Sequence, residues 1–335
     1  MVDLFNSRLP IYFYIPHSEV FHGDLPTTDT YWLWLSAQEP QGLGKFNWTL
    51  QTYLYLNREG VQCELTRRLP SEGIVIAHRD FFARDLQPGP RLLMVCLLAD
   101  RTPHPYAQFH VVQNRLQSTI FRPKELWPTY YIPHWPQPSL IPRDPGRGDR
   151  FETAAFFGHA DNIAGELRES AWNARVRDLG LSWWLVPQRN WHDYSAVDVV
   201  VAVRSFKKQD YLHKPPSKLF NAWHAGVPAI LGLESAYRAT RRSDLDYLEA
   251  MSVEAAVAAL KHLRDDRDLR RAMVENGRRR AEDFHATNFM KRWQTLLANE
   301  LVATYTEWCN ASANARATFL EQRASSFHRG RPFNY

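Results

Sequence analysis

The segment KPPSKLFNAWHAGVPAILGLE, residues 214–234, joins a helix start to a short apolar strand. Pro215 and Pro216 suit the first turn of a helix, because proline has a fixed φ and no N–H to donate. Gly226 predicts the end of that helix, and the apolar run that follows it, residues 227–231, predicts a strand. In parallel α/β sheets, ligands collect at the carboxyl ends of the strands. The segment therefore predicts an α/β fold with a ligand site near Glu234.

Polar side chains recur along the predicted helix at spacings of three and four residues, namely Lys214, Ser217, Lys218 and Asn221. This spacing places them on one face. The N-terminus of a helix attracts anions through its free N–H groups and its dipole, and Ser217 and Lys218 add a hydroxyl and a charge there. The pattern predicts a diphosphate site, although an ordinary amphipathic helix with a solvated lysine has the same pattern.

The segment resembles the donor-binding segment of nucleotide-sugar-dependent glycosyltransferases with the GT-B fold. The resemblance continues into residues 246–250 and 265–284, and it holds only in outline over the N-terminal half. It implies two Rossmann-like, doubly wound α/β domains facing a central cleft, with a nucleoside-diphosphate sugar bound by the C-terminal domain. The best-known retaining branch carries two glutamates here, and the matching positions are His213 and Asn221. The amide of Asn221 can still bond a ribose hydroxyl, so this contact stays open.

Length and composition agree with two domains. The chain has 335 residues, which suits two domains of about 150 residues each. The stretch 133–150 is rich in proline, glycine and charge, which predicts a linker. We therefore expect an acceptor-binding domain over 1–145 and a donor-binding domain over 146–306, with a helix at about 307–335 packing back on the first domain.

Apolar runs alternate with helical patterns through both halves, as in parallel sheets wrapped by helices. Helices are predicted at 46–58, at 163–178 and from 253 onwards. The predicted strands lie at 11–16, 31–36, 61–65, 73–77, 92–98 and 109–112 in the first half and at 153–157, 181–186, 198–203 and 227–231 in the second.

In the donor half, residues that directly follow predicted strands are expected at the ligand edge of the sheet. Arg204 is a candidate phosphate clamp, and its alternative is a surface arginine at a strand end. His159 is expected either to contact the ligand or to cap the next element. Glu234 is expected to bind a sugar hydroxyl or to cap the helix that starts at Ser235.

In the acceptor half, His78 and Asp80 follow the strand 73–77, at a place where the resembled glycosyltransferases carry a histidine. His78 is expected to orient a hydroxyl or to serve as a base. Asp100, after the strand 92–98, is the second candidate base. The alternative for Asp100 and Arg101 is a salt pair with each other.

The remaining acceptor-side candidates are two glycines and one aromatic residue. Gly42 and Gly44 open the first long helix, where they give a substrate room near the backbone or simply form a turn. Trp135, in the linker, is the aromatic ring best placed to stack on a sugar. Most other aromatic side chains, such as Trp183, Trp184 and Trp223, are expected in the core.

The formal charge of +5 favours anionic partners without choosing among phosphates, acidic glycolipids and nucleic acid. No zinc-finger spacing or RNA-recognition signature accompanies the basic residues, so we expect no nucleic-acid binding. Contact with a membrane surface and the oligomeric state are left open.

The N-terminal residues lack the basic start and the long apolar segment of a signal peptide. Cys63, Cys96 and Cys309 show no metal-ligand spacing and suit reduced thiols. These features predict a cytoplasmic protein that either stays in solution or works at the inner membrane face.

The sequence thus predicts a metal-independent glycosyltransferase of carbohydrate biosynthesis, acting on a hydroxyl of a polysaccharide, a glycolipid or a small glycoside. Asp244 and Asp246 superficially form a DxD metal motif, but enzymes of this fold usually stabilise the leaving diphosphate with cationic side chains and helix dipoles. No metal and no cofactor are expected. The alternatives are a nucleotide-sugar epimerase or hydrolase of the same fold, and a non-catalytic protein that binds carbohydrate or nucleotide.

Overall fold

The computed structural model describes residues 9–19, 23–38, 43–121, 125–207 and 209–328. Packing divides the chain into two compact units. The first comprises Met1–Trp135, His213–Pro215 and Thr287–Tyr335, and the second comprises Pro136–Leu212 and Pro216–Ala286.

Each unit is built on a sheet whose strands are all parallel. The strand order is β2-β1-β3-β4-β5-β6 in the first unit and β11-β10-β9-β7-β8 in the second. The strands are β1 (Ile11–Tyr14), β2 (Glu64–Thr66), β3 (Gly73–His78), β4 (Leu92–Leu97), β5 (Phe109–Val112), β6 (Thr129–Tyr131), β7 (Thr153–Phe157), β8 (Ser182–Val186), β9 (Val199–Ala202), β10 (Ala229–Leu231) and β11 (Leu248–Glu249).

Helices follow most of the strands, as expected for parallel sheets, in which each crossover needs a long connection. They are α1 (Tyr31–Ala37), α2 (Leu43–Arg58), α3 (Gln117–Ile120), α4 (Ser170–Asp178), α5 (Ser217–Ala225), α6 (Ser235–Thr240), α7 (Val253–Asp265), α8 (Arg267–Asp283), α9 (Ala286–Thr295), α10 (Val302–Asn310) and α11 (Ala313–His328). A π-helical turn, Leu296–Leu301, joins α9 to α10.

The central strands carry the core of each unit. Every residue of β3, β4, β7 and β9 is buried, and these strands are rich in Val, Ile, Leu and Ala. Parallel strands covered on both faces have this composition. The prediction of two Rossmann-like α/β domains is confirmed.

The predicted strand at 31–36 is wrong, because this segment forms helix α1. Its abundance of aromatic residues favoured a strand. The buried side chains, however, are Tyr31, Trp32 and Leu35, whereas Leu33 is 74% exposed. Burial at i, i+1 and i+4 fits a helical face and does not fit the alternation of a strand.

Two other elements differ from their predictions. The helix predicted over 163–178 begins only at Ser170, because Glu169 is extended and 3-10 turns occupy Ala160–Asn162 and Gly165–Arg168. The short edge strand β6 escaped prediction because its three residues are only half-buried, so that it lacks an apolar run.

The division between the units lies earlier than the predicted boundary at 145/146. Trp135 belongs to the first unit, since its ring stacks on Tyr55 at 4.5 Å and on Phe289 at 5.3 Å. Its Nε1 donates to Thr52 Oγ1 at 2.9 Å. The chain leaves the first unit after this anchored side chain and not inside the proline-rich stretch.

The return to the first unit begins at Thr287, before the predicted position of about 307. Trp293 of α9 packs edge-on against Phe13 of β1. Trp308 of α10 donates to Gly89 O at 2.9 Å. Arg323 of α11 is completely buried and binds carbonyl oxygens of the loop before β5.

His104 lies in that loop and is held in one neutral form. Its Nδ1 accepts from Tyr106 N and Ala107 N, both at 3.1 Å, and its Nε2 therefore donates to Ala83 O at 2.8 Å. A second proton on Nδ1 would displace two N–H donors. Burial lowers the pKa of His104 to about 4 and holds that of His110, its neighbour, well below the ordinary value.

We expect the free energy of unfolding to decrease as the pH falls from about 6.5 to about 4. The upper limit is the ordinary pKa of histidine, which applies to the unfolded chain, and the lower limit is the pKa of His104 in the folded protein. A histidine pKa depressed this far corresponds to about 3 kcal/mol. Urea unfolding at a series of pH values checks this. His104→Asn, which keeps an acceptor, should show a smaller pH dependence than wild type, whereas His262→Asn, at a 60%-exposed side chain, should not. Equal pH dependence in all three proteins would contradict the assignment.

Candidate functional site

Polar side chains of the first unit gather at the carboxyl ends of β3, β4 and β5. His78 ends β3, Asp100 and Arg101 follow β4, and Gln113 follows β5. Adjacent parallel strands bring these ends to one edge of the sheet. The structure thus brings together four of the predicted acceptor-side residues, His78, Asp80, Asp100 and Arg101.

His78 is 4% exposed and is fixed by backbone contacts. Its N–H donates to Thr49 Oγ1 at 3.1 Å, and its Nδ1 accepts from Asp80 N at 3.1 Å. Burial lowers the pKa of His78 to about 4, with nearby Asp80 opposing part of the effect. The neutral ring therefore carries its proton on Nε2, which makes His78 a hydrogen-bond donor to a ligand and not a base at that nitrogen.

Arg101 pairs with Asp80 and not with Asp100. Arg101 Nε and Nη2 bind the Asp80 carboxylate at 2.9–3.0 Å. Burial alone would raise the pKa of Asp80, but the hydrogen bonds from Arg101, together with the charges of His78, Arg101 and Arg79, lower it below the ordinary value. The expected alternative, a salt pair between Asp100 and Arg101, is wrong.

Asp100 is held by two donors. Gln113 Nε2 donates to Asp100 Oδ1 at 2.6 Å, and Lys214 Nζ donates to Asp100 Oδ2 at 2.5 Å. Gln113 also donates to His213 O at 2.8 Å and accepts from Trp48 Nε1 at 3.2 Å. The network fixes the position of the carboxylate beside a lysine. The sequence analysis did not predict Gln113. It could have done so, because Gln113 directly follows β5, just as Asp100 follows a strand.

The remaining acceptor-side candidates are Gly42, Gly44 and Trp135. Gly42 lies outside the described residues. Gly44 is exposed in the first turn of α2 and would leave a Cβ in open space, so its role stays a prediction. Trp135 as a sugar-stacking residue is wrong, because its ring is 2% exposed and stacks on Tyr55 and Phe289.

In the second unit, Arg204 and Glu234 meet where β9 and β10 end. Arg204 Nε donates to Glu234 Oε2 at 2.9 Å, and Arg204 Nη1 donates to Asn162 Oδ1 at 2.8 Å. The guanidinium also lies 5.9 Å from the ring centre of Tyr211. The sequence analysis did not predict Asn162, which lies in a 3-10 turn after β7.

One carboxylate oxygen of Glu234 accepts no hydrogen bond from the described residues. Its side chain is 3% exposed, and Oε2 is bound by Arg204. Its Oε1 is buried without a hydrogen-bond partner among the described residues. An unsatisfied buried carboxylate oxygen is costly. A ligand hydroxyl or N–H would satisfy it.

Lys218 extends from the first turn of α5 over the end of β7. Its Nζ lies 5.2 Å from the ring centre of Phe156. Gly158 leaves room beside it, because a Cβ there would come within 2.9 Å of the Phe156 ring and 3.5 Å of Lys218 Cε. Among the described residues, no side chain caps the N-terminus of α5, where Ser217 is half-buried. Backbone N–H groups, a hydroxyl and a lysine therefore lie together, as the sequence predicted.

Two residues of the predicted polar face lie elsewhere. Helix α5 starts at Ser217, because Pro216 disfavours a helical conformation at the residue before it, and Lys214 is part of the first unit. Asn221 is 9% exposed, and its Oδ1 accepts from Gln137 N at 3.0 Å. The expectation that these two lie on one face of the helix with Lys218 is therefore wrong for Lys214, which precedes the helix, and Asn221 is occupied by a backbone contact; a donor-binding role for Lys214 stays a prediction. The structure instead uses Asn221 to hold the backbone at Gln137.

His159 and the two aspartates of the apparent DxD motif complete the predicted set. His159 is exposed after β7 and packs edge-on against Trp191 at 4.9 Å. Asp246 is buried and accepts from Arg242 N, Ser243 N, Asn276 and Arg280, whereas the side chain of Asp244 is 99% exposed. These two carboxylates do not face a common site. Within the described ranges, no group of three or more His, Cys, Asp or Glu side chains is placed to hold a metal.

The second unit matches a known protein family. Residues 150–298 fit the family model described as glycosyl transferase-like, and this range contains Lys218, Arg204 and Glu234. Residues 150–298 therefore form a glycosyl transferase-like domain. No curated protein sequence matches it.

The chain is similar to several solved structures. HepE from Anabaena, solved in complex with UDP, has 11% identity and a TM-score of 0.50, and the alignment covers 87% of this chain and 100% of that one. The pneumococcal O-GlcNAc transferase GtfA, in complex with UDP and GlcNAc, has 14% identity and a TM-score of 0.49 over 79% of this chain and 60% of that one. Sucrose-phosphate synthase from Thermosynechococcus elongatus has 13% identity and a TM-score of 0.47 over 78% and 80%.

The chain contains, among its described residues, no helix with the length and apolar character needed to cross a membrane. Its three cysteines are free thiols, and two of them, Cys63 and Cys96, are buried. Burial raises the pKa of both thiols to about 12. They are therefore protonated at neutral pH, and neither is a candidate nucleophile.

Proposed function

We propose that this protein is a glycosyltransferase, which transfers a sugar from a nucleoside-diphosphate sugar to an acceptor hydroxyl without a metal ion. The carrying observation is the group at the carboxyl edge of the second sheet, where Lys218, the N-terminus of α5, Arg204 and Glu234 are assembled. Lys218 and the helix terminus suit a diphosphate, and the buried Glu234 Oε1 suits a hydroxyl of the ribose or of the sugar. HepE, which shares the fold, was solved with UDP, so UDP is the first nucleotide to test.

The chemistry required of this group is electrostatic. When the bond from the sugar to the diphosphate breaks, negative charge grows on the leaving phosphate oxygens. Lys218 and the N–H groups of α5 are fixed donors for that charge, and one such donor typically contributes about 3 kcal/mol to the transition state. Arg204 holds Glu234 in place through a charge-assisted hydrogen bond.

The first unit is proposed to bind the acceptor, a hydroxyl of a polysaccharide, a glycolipid or a small glycoside. His78 presents Nε2–H as a donor that can orient a sugar hydroxyl. Asp100 is the candidate proton acceptor, since Lys214 and Gln113 fix its carboxylate at the carboxyl edge of the sheet. A cytoplasmic location is part of the same proposal.

Thermal unfolding in the presence of nucleotides tests the donor site. We expect one of UDP, GDP, ADP and TDP, added with EDTA, to raise the melting temperature more than CMP does, because a ligand at 100 times its Kd adds about 2.7 kcal/mol. The matching nucleotide sugar should then be consumed only when an acceptor is present. A shift that needs Mg²⁺ would contradict metal independence, and no shift with any diphosphate would contradict the donor site.

Product analysis separates the alternatives. An epimerase or hydrolase would turn over the nucleotide sugar with no acceptor. A non-catalytic binding protein would show the thermal shift and no turnover with any acceptor.

A further inference from the structure

A cavity of about 570 Å³ opens at the amino ends of the strands of the second sheet. Phe151, before β7, and Pro228, before β10, line it together with α8. Arg204, Glu234 and Gly158 follow the other ends of the same strands. The five residues of β7 separate the two edges by roughly 17 Å. The cavity is therefore distinct from the proposed donor site.

Arginine side chains dominate the lining of this cavity. They are Arg143, Arg150, Arg270, Arg271 and Arg278. The carboxylates of the lining are Asp149 and Glu275, and Asp149 is already bound by Arg267 and Arg271. Positive charge is thus in excess where the backbone and a helix enclose it. We call this site the arginine cavity.

Three of these guanidinium groups have no carboxylate partner within the described part of the chain. Arg150 donates to the carbonyl oxygens of Gly146 and Arg147, at 2.9 and 3.2 Å. Arg270 donates to three carbonyl oxygens and lies 5.1 Å from the ring centre of Phe151. Arg278 is exposed at the rim and has neither an ion pair nor a hydrogen bond to a described side chain. Arg150 and Arg270 are thus oriented by carbonyl oxygens, and no described carboxylate neutralises any of the three charges.

The surroundings favour an anion at this point. Burial, and then the neighbouring Arg267 and Arg143, lower the pKa of Arg270, which means that its charge is disfavoured while no anion is present. The carboxyl end of α5 also reaches the cavity, but its last carbonyl, Ala225 O, already accepts from Arg143 N at 2.9 Å. Arg143 itself is held by the buried Asp198.

We propose that the arginine cavity is a second ligand site that binds phosphate groups. Guanidinium groups form two parallel hydrogen bonds to phosphate oxygens, and fixed guanidinium groups without carboxylate partners keep that capacity available. The phosphate belongs either to a soluble phosphorylated molecule or to the headgroup of an anionic lipid. Both have the same chemistry at the protein surface.

The test compares two neighbouring arginines of α8. Arg278→Gln removes a guanidinium from the cavity, and Arg279→Gln makes the same change in charge at an exposed residue that does not line it. Titration calorimetry measures the binding of inorganic pyrophosphate, which represents a soluble ligand. Flotation measures binding to vesicles of phosphatidylglycerol and phosphatidylcholine, which represent a lipid headgroup. Arg278→Gln should weaken either the binding of pyrophosphate or the binding of vesicles by about tenfold. Arg279→Gln should change neither affinity by more than about twofold.

Loss of pyrophosphate binding alone would identify a soluble ligand, and loss of vesicle binding alone would identify a lipid headgroup. Equal effects of both substitutions, or no effect of Arg278→Gln on either, would overturn the proposal. Lys218→Ala distinguishes this site from the donor site, since the loss caused by Arg278→Gln should be the same in that background.

Discussion

Replacing Lys218 by alanine is expected to lower the kcat of sugar transfer by about 100-fold to 1,000-fold, the usual effect of removing one fixed donor to a developing anion. The amino group lies beside Gly158, over the ring of Phe156, and at the N-terminus of α5. Water can replace its charge only poorly, because water is neither fixed nor cationic. Affinity for the free nucleoside diphosphate should fall as well, by a smaller factor.

The measurement is steady-state kinetics of transfer together with titration of the diphosphate. Lys261→Ala is the matched control, because Lys261 is a 63%-exposed lysine of α7 in the same unit, where it pairs with Asp265. Lys218→Arg should recover part of the rate, since it retains the charge. Wild-type kcat and wild-type diphosphate affinity in Lys218→Ala would show that the leaving group is bound elsewhere.

Replacing Arg323 by methionine is expected to lower the free energy of unfolding by about 3 kcal/mol, because several buried carbonyl oxygens lose a charged donor together. Arg323 donates to Ala107 O, Leu126 O, His104 O and Pro105 O at 2.5, 2.6, 3.0 and 3.2 Å. Its guanidinium also stacks 3.7 Å from the ring centre of Trp127. Burial lowers the pKa of Arg323 to about 9, which still leaves it charged at neutral pH.

Urea unfolding monitored by circular dichroism measures this loss. Methionine fills most of the volume, so the change tests the hydrogen bonds and not a cavity. Arg68→Met, at an exposed position of the same unit, controls for the loss of one positive charge and should change the midpoint little. An unchanged midpoint in Arg323→Met would mean that the cost of burying the charge offsets all of its hydrogen bonds.

The sequence was most informative where a local rule acts by itself. Gly226 ends α5 in the left-handed conformation, with φ of 70°, which glycine adopts without strain. Buried parallel strands such as β3 and β9 are continuous apolar runs, so their positions could be read directly. Arg204, Glu234, His78 and Asp100 follow such strands, and chain direction alone brings them to the carboxyl edges of their sheets.

The sequence by itself therefore determined the α/β class, the two sheets and the edges at which polar groups collect, because these depend on periodicity and on neighbours along the chain. Only the tertiary structure decided which groups pair. Arg101 binds Asp80 rather than the adjacent Asp100, Trp135 is enclosed by Tyr55 and Phe289, and Arg323 binds the loop before β5. Each of these contacts joins residues distant in sequence. Their partners are chosen by the packing of whole elements, which no local pattern records.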